Sequence, residues 1–170
     1  MTSTRLVVGQ PRSVTQPWLR PVGAEEQEAL REWRNAHRDA FFHTDVISPE
    51  GQRRWFQGYL QRPEDFLFLV MDRDSPIGCV GVRLLGQEWD VYNVIRGVQS
   101  AASQGFMGLG LRMLVEFARD RHDLPVQAVV LADNPAVDWY LRQGFRIVGR
   151  RPGSVVLRWA AAASPETGQR

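Results

Sequence analysis

Three β-rich runs follow one another in the middle of this chain: FLFLVMDR, PIGCVGVRLLG and EWDVYNVIRGV. Only turn residues separate them, around Asp74-Ser75 and Gly86. Joins this short cannot carry a parallel crossover, so the three strands must pair antiparallel. The pattern then changes. The stretch SQGFMGLGLRML, Ser103 to Leu114, sets Gly105, Gly108 and Gly110 ahead of a helix expected from about Leu109 to Arg121. VQAVVLA follows Pro125 as another strand. Strand, helix and strand across residues 90–131 predict a right-handed parallel crossover. One sheet must therefore be mixed.

The flanks complete it. PWLRPV reads as a first strand, and AEEQEALREWRNAHRDAFF as a helix with Leu30, Trp33 and His37 on one face. Ser48-Pro49-Glu50 starts a second helix, lined by Trp55, Phe56, Tyr59 and Leu60. NPAVDWYLRQ is a short helix capped by Asn134 and stopped at Gly144. FRIVGR and SVVLRW close as strands. The predicted fold is α/β: a single domain with a mixed, mostly antiparallel sheet of about seven strands and about four helices. It should span residues 17–160, between flexible segments at 1–16 and 161–170.

Several function classes fall away. Lysine is absent, and all 21 basic residues are arginine. The GxxxxGK-type P-loop, protein kinases and pyridoxal-phosphate enzymes each require a lysine. The net charge of +2 comes from scattered arginines, which argues against nucleic acid as a partner. The single cysteine, Cys79, rules out an intrachain disulfide and reads as a small buried hydrophobe. His37, His43 and His122 lack metal-ligand spacing, so no metal is expected. No run is long and apolar enough to span a membrane, and the N-terminus does not read as a secretory signal. The expected location is the cytoplasm.

A helix N-terminus presents unpaired N–H groups and about half a positive charge. Glycines there let an anion approach closely, so this loop reads as a phosphate cradle that needs no lysine. A tight turn with close helix packing is the competing reading. The GxxGxG order is the reverse of a dinucleotide fingerprint.

Gly108-Leu109-Gly110, followed by ADNPAVDWYLRQGFRIVG, resembles the GNAT superfamily of acyl-CoA-dependent N-acetyltransferases. That family has a (Gln/Arg)-x-x-Gly-x-(Gly/Ala) loop and, later, an Asn-containing short helix ending in Tyr-x-x-x-Gly-Phe. Tyr140-Leu141-Arg142-Gln143-Gly144-Phe145 stands in the second place, and the element order agrees. Gly105 stands where the family has Gln or Arg, and either Asp133 or Asn134 matches its Asn.

The resemblance implies acetyl-CoA as acyl donor, bound by Val98, Ser100, Gly105, Phe106, Met107, Gly108, Leu109, Gly110, Asn134 and Tyr140. It implies direct attack of an amine on the thioester, with pantetheine along the strand that ends near Val98. A backbone N–H near Val98 would polarise the carbonyl, and the flanking strands would splay to form the slot. Asp90 or Glu88, on that strand, would be the general base, Asp90 fitting better because Glu88 falls near the turn after Gly86. Tyr140 would protonate the leaving thiolate.

LREWRNAHRDAFF and ISPEGQRRW resemble the nucleotide-amino-sugar and ribosomal-protein N-terminal branches of the family. This implies Trp33, Asn35 and His43 on the acceptor side, although Trp33 and Trp55 also read as core aromatics. The expected partner is a small-molecule amine, an amino sugar or natural-product intermediate, and the family leaves room for a homodimer. The alternatives are a protein N-terminus as acceptor, or a non-catalytic acyl-CoA-binding module.

Overall fold

The computed structural model of the chain describes residues 16–99 and 105–160. The strands are β1 Trp18–Pro21, β2 Asp65–Asp72, β3 Ser75–Leu85, β4 Glu88–Arg96, β5 Val126–Leu131, β6 Phe145–Arg151 and β7 Ser154–Trp159. The helices are α1 Gln27–Ala36, α2 Pro49–Tyr59, α3 Phe106–Arg121 and α4 Ala136–Arg142. They follow the predicted order. The seven strands form one sheet, β1-β2-β3-β4-β5-β7-β6, in which only β4 and β5 run parallel.

Each face of the sheet has its own core. Trp89, Val80, Leu157 and Phe68 meet Leu111, Leu114 and Val115 of α3 and Tyr140 of α4 on one side. Leu67, Leu69, Cys79 and Ile95 meet Leu30 and Trp33 of α1 and Trp55 of α2 on the other. Trp89, Leu111, Leu114 and Leu157 are fully buried. Each such side chain is worth roughly 1.5–3 kcal/mol of apolar burial. The helix starts obey local chemistry. The Ser48 hydroxyl accepts from the Gly51 amide at 3.0 Å, with Pro49 in the first turn. Gly144 ends α4 with φ of 106°, a conformation glycine tolerates. Cys79 is enclosed as expected: burial pushes its thiol up to about 12, and Sγ donates to the Asn93 carbonyl.

Several boundaries differ from the sequence reading, among them the start of α4, which is capped at Pro135 rather than Asn134. Helix α3 begins at Phe106, so Gly108 and Gly110 lie in its first turns and only Gly105, its N-cap, lies ahead of it. Glu88 is the first residue of β4 and lies outside the turn.

Candidate active site

β4 and β5 are paired at only two positions, Trp89↔Val126 and Asp90↔Gln127. Beyond them β4 continues to Arg96 and β5 to Leu131 with no ladder between, so a slot opens along the β4 edge. A bulge reshapes β4 within that slot. The β3 ladder passes from Gly81↔Tyr92 to Cys79↔Ile95, which leaves one extra residue on β4. Asn93 takes a φ of 47°, a left-handed conformation that Asn accepts better than most residues.

Helix α3 starts at Gly105, whose φ is 85° and whose missing Cβ would meet nothing within 4 Å. Among the described residues no side chain caps the helix. Among the described residues nothing accepts from the amides of Phe106, Met107 and Gly108, while Leu109 already donates to the Gly105 carbonyl. The two later glycines have another use. A Cβ on Gly108 would lie 2.4 Å from Gln143 Oε1, and one on Gly110 2.8 Å from a Val70 methyl. They let α3 approach α4 and β2. The two readings of the trio thus divide by residue: Gly105 shapes an open turn, and Gly108 and Gly110 permit close packing.

Asp90 lies at the closed end of the slot. It is buried, and its carboxylate accepts from Arg83 Nε at 2.9 Å. Burial raises its pKa above the ordinary carboxylate value, against the opposing pull of Arg83. Arg83 in turn lies over the Tyr92 ring. Tyr92 donates to the buried Asp65, which also accepts from Arg62 Nε at 2.6 Å. Asp65, Arg83 and Tyr92 were not singled out from the sequence. The signal was present: a hairpin centred on Gly86-Gln87 sets Arg83 directly across from Asp90. Glu88, the other candidate base, is half-exposed and receives Arg158 Nη2 at 2.7 Å.

Tyr140 of α4 is buried, edge-on to Trp139 and Phe145. Among the described residues its hydroxyl makes no hydrogen bond. Burial, followed by the charge of Asp90, raises its pKa well above the usual phenol value. The phenol is therefore protonated at any physiological pH, and it is near enough to Asp90 to feel that charge.

The remaining candidates divide. Val98 lies past the end of β4, and its amide donates to the Ile77 carbonyl at 3.0 Å, as does Gly97 at 2.8 Å. The N–H expected near Val98 is thus already engaged with Ile77. Ser100 lies outside the described residues. Leu109 is exposed, whereas Met107, Gly108 and Gly110 are buried. Asn134 has structural bonds: it accepts from the Ala136 amide at 2.9 Å and donates to the Ala40 carbonyl at 3.1 Å. Asn35 exchanges two bonds with Ile47, at 3.0 and 2.8 Å, and so fixes the segment leading into α2. Trp33 packs over Gly97 and belongs to the second core. His43 is exposed, and its carbonyl accepts from Arg34.

The model of the acetyltransferase (GNAT) domain family matches residues 18–145. The chain belongs to the GNAT acetyltransferase family. Solved GNAT structures share its fold at low identity. FdhC, described as a nucleotide-linked sugar GNAT, has 17% identity and a TM-score of 0.70 over 85% of this chain and 86% of its own. RimL, a ribosomal alpha-N-protein acetyltransferase in complex with coenzyme A, has 19% identity and a TM-score of 0.71 over 87% and 94%. Spermidine N-acetyltransferase from Vibrio cholerae, in complex with CoA and spermine, has 18% identity and a TM-score of 0.67 over 84% and 93%. No curated protein matches the chain significantly in sequence. As a GNAT enzyme the chain is an N-acetyltransferase with acetyl-CoA as its donor. Among the described residues, no helix is long and apolar enough to cross a membrane.

Proposed function

We propose that this enzyme moves the acetyl group of acetyl-CoA to the primary amine of a small molecule by direct attack, with Asp90 as base and Tyr140 as acid. The observation that carries this reading is the parting of β4 from β5, with Asp90 at its closed end and the Tyr140 phenol within reach of its charge.

The residues fit the donor. The amides of Phe106, Met107 and Gly108, which have no acceptor among the described residues, suit a pyrophosphate, and the turn at Gly105 leaves room for it. The free edge of β4 suits an amide-bearing arm, which can add to it as a strand would. Bound acetyl-CoA supplies an electrophilic thioester carbonyl and a thiolate leaving group.

The protein then has two proton tasks. An aliphatic amine, with a pKa near that of lysine, is mostly protonated at neutral pH and must lose a proton before it can attack. Asp90 accepts it. Burial makes this carboxylate a stronger base than an exposed one, and Arg83 fixes its orientation. Tyr140 keeps its proton until a stronger base appears beside it, as the departing sulfur does.

The test is release of free thiol from acetyl-CoA in the presence of pooled primary amines. Amine-dependent release, with the acetyl group recovered on nitrogen, is expected. CoA binding without amine-dependent release from any pool would overturn the reading in favour of a binding module.

A further inference from the structure

The ladder registers place six polar residues opposite one another across the sheet. In order they are Asp65 on β2, Arg83 on β3, Asp90 on β4, Gln127 on β5, Arg158 on β7 and Arg146 on β6. Residues opposed in a ladder share a face, here the face that carries α1 and α2. Over β2–β4 the row is covered, and Asp65 and Asp90 are buried. Past β4 the face opens: Gln127 and Arg158 are half-exposed, and Val148 is exposed.

A cavity of about 290 Å³ lies there, its lining including Glu88, Gln127, Arg150, Arg151, Val156 and Arg158. Its charges do not cancel. Asp65 is answered by Arg62 and Tyr92, Asp90 by Arg83, and Glu88 by Arg158. Among the described residues Arg150 and Arg151, which line the cavity, have no acidic partner. The Arg158 Nε is enclosed with no hydrogen-bond partner, although its Nη2 holds Glu88. An enclosed guanidinium N–H with nothing to donate to is costly and aims at an acceptor. Guanidinium forks match the oxygens of phosphate and carboxylate.

We propose that the acceptor amine carries an anionic group, a phosphate monoester before a carboxylate, and that Arg158 and Arg151 hold this group while the amine faces Asp90. The inference rests on the acetyl-transfer reading and names the substrate class within it. Arg158 lies two strands from Asp90, roughly 10 Å at the usual strand spacing. Long side chains at one end and a short aliphatic linker at the other bridge that span. Two unanswered positive charges favour a dianion over a monoanion, and they repel a polyamine.

A four-carbon series on one scaffold tests it: 1,4-diaminobutane, 4-aminobutanol, 4-aminobutanoate and 4-aminobutyl phosphate. Binding to the full-length chain with CoA present is measured by calorimetry, and turnover with acetyl-CoA by thiol release. Each charge-assisted contact should be worth about 10–100-fold in affinity. The phosphate should bind best, the carboxylate next and the diamine worst, with Arg158→Gln and Arg151→Gln each weakening the phosphate by about tenfold or more. The Kd for CoA itself should not move in either variant, which shows that both still fold. Equal binding of alcohol and phosphate, preference for the diamine, or unchanged phosphate affinity in both variants would overturn the proposal. Selective phosphate binding without thiol release would leave this site standing and refute the transfer reading instead.

Discussion

Tyr140→Phe separates a catalytic phenol from a packing ring, because only the catalytic role needs the hydroxyl. The ring keeps its edge contacts with Trp139 and Phe145, whose centroids lie 5.2 and 5.1 Å away. Only the hydroxyl is lost, and it makes no hydrogen bond among the described residues. That oxygen is not among the enclosed polar atoms left without a partner, so no burial penalty is relieved. Its removal should therefore leave stability within about 1 kcal/mol of the parent, a shift in Tm of about 2–4 °C at most for a chain of this size. Activity should change far more. Loss of one proton donor that acts only as the C–S bond breaks should lower kcat by about 10–10³-fold. That is about 1.4–4 kcal/mol of lost transition-state stabilisation. KM should stay nearly constant, so kcat and kcat/KM fall together. Steady-state kinetics and thermal melts of both forms check it. Normal kcat in the variant would reduce Tyr140 to a core aromatic. A Tm drop beyond about 4 °C would show that the hydroxyl is held by a partner and that the reasoning is wrong.

Other outcomes follow from the same geometry. Asp90→Asn should lower kcat/KM by about 10²–10⁴-fold and remove the acidic limb of the pH–rate profile, which in the parent should lie above the ordinary carboxylate range. The sign for stability is reversed. A folded-state pKa raised by burial means that Asp90 favours the native state only when protonated, and this contribution is lost as pH rises through that pKa. At neutral pH the Asn variant should therefore melt no lower than the parent, as followed by circular dichroism. Gly110→Ala should cost about 1–3 kcal/mol in denaturant unfolding, because the new Cβ meets the buried Val70. Gly108→Ala should be close to neutral, since it displaces only the free end of Gln143 and gains about 1 kcal/mol in helix propensity. Asn35→Ala removes both bonds to Ile47 and should lower stability by about 1–3 kcal/mol, measured the same way.

The fold was legible because its signals are local and agree. Short joins forced β2, β3 and β4 to be antiparallel, Ser48 and Gly144 marked helix ends, and the element order met no contradiction. The start of α3 was misplaced because glycine's low propensity suggested a loop. Packing of Gly108 and Gly110 against Gln143 and Val70 overrides that propensity. The bulge at Asn93 left no mark in a strand otherwise rich in β-formers. Candidate residues on one strand or one helix could be proposed from the family resemblance, as Asp90 and Tyr140 were. The partners that tune them could not, because Arg83, Gln127 and Arg158 come together only through registers that span several strands. That the amides of Gly97 and Val98 are taken by Ile77 could not be read from the sequence, since it depends on where β4 ends.

The most direct test of the account is the fate of the acetyl group in a single turnover. Enzyme in excess over acetyl-CoA carrying a deuterated acetyl group is mixed with an amine that supports thiol release. Intact protein and small molecules are then examined by mass spectrometry at successive times. Direct attack at the parting of β4 and β5 requires the label to appear on the amine nitrogen in step with free thiol, with the protein unlabelled throughout. Label on the protein before it reaches the amine, or label recovered as free acetate whatever the amine, would contradict the account.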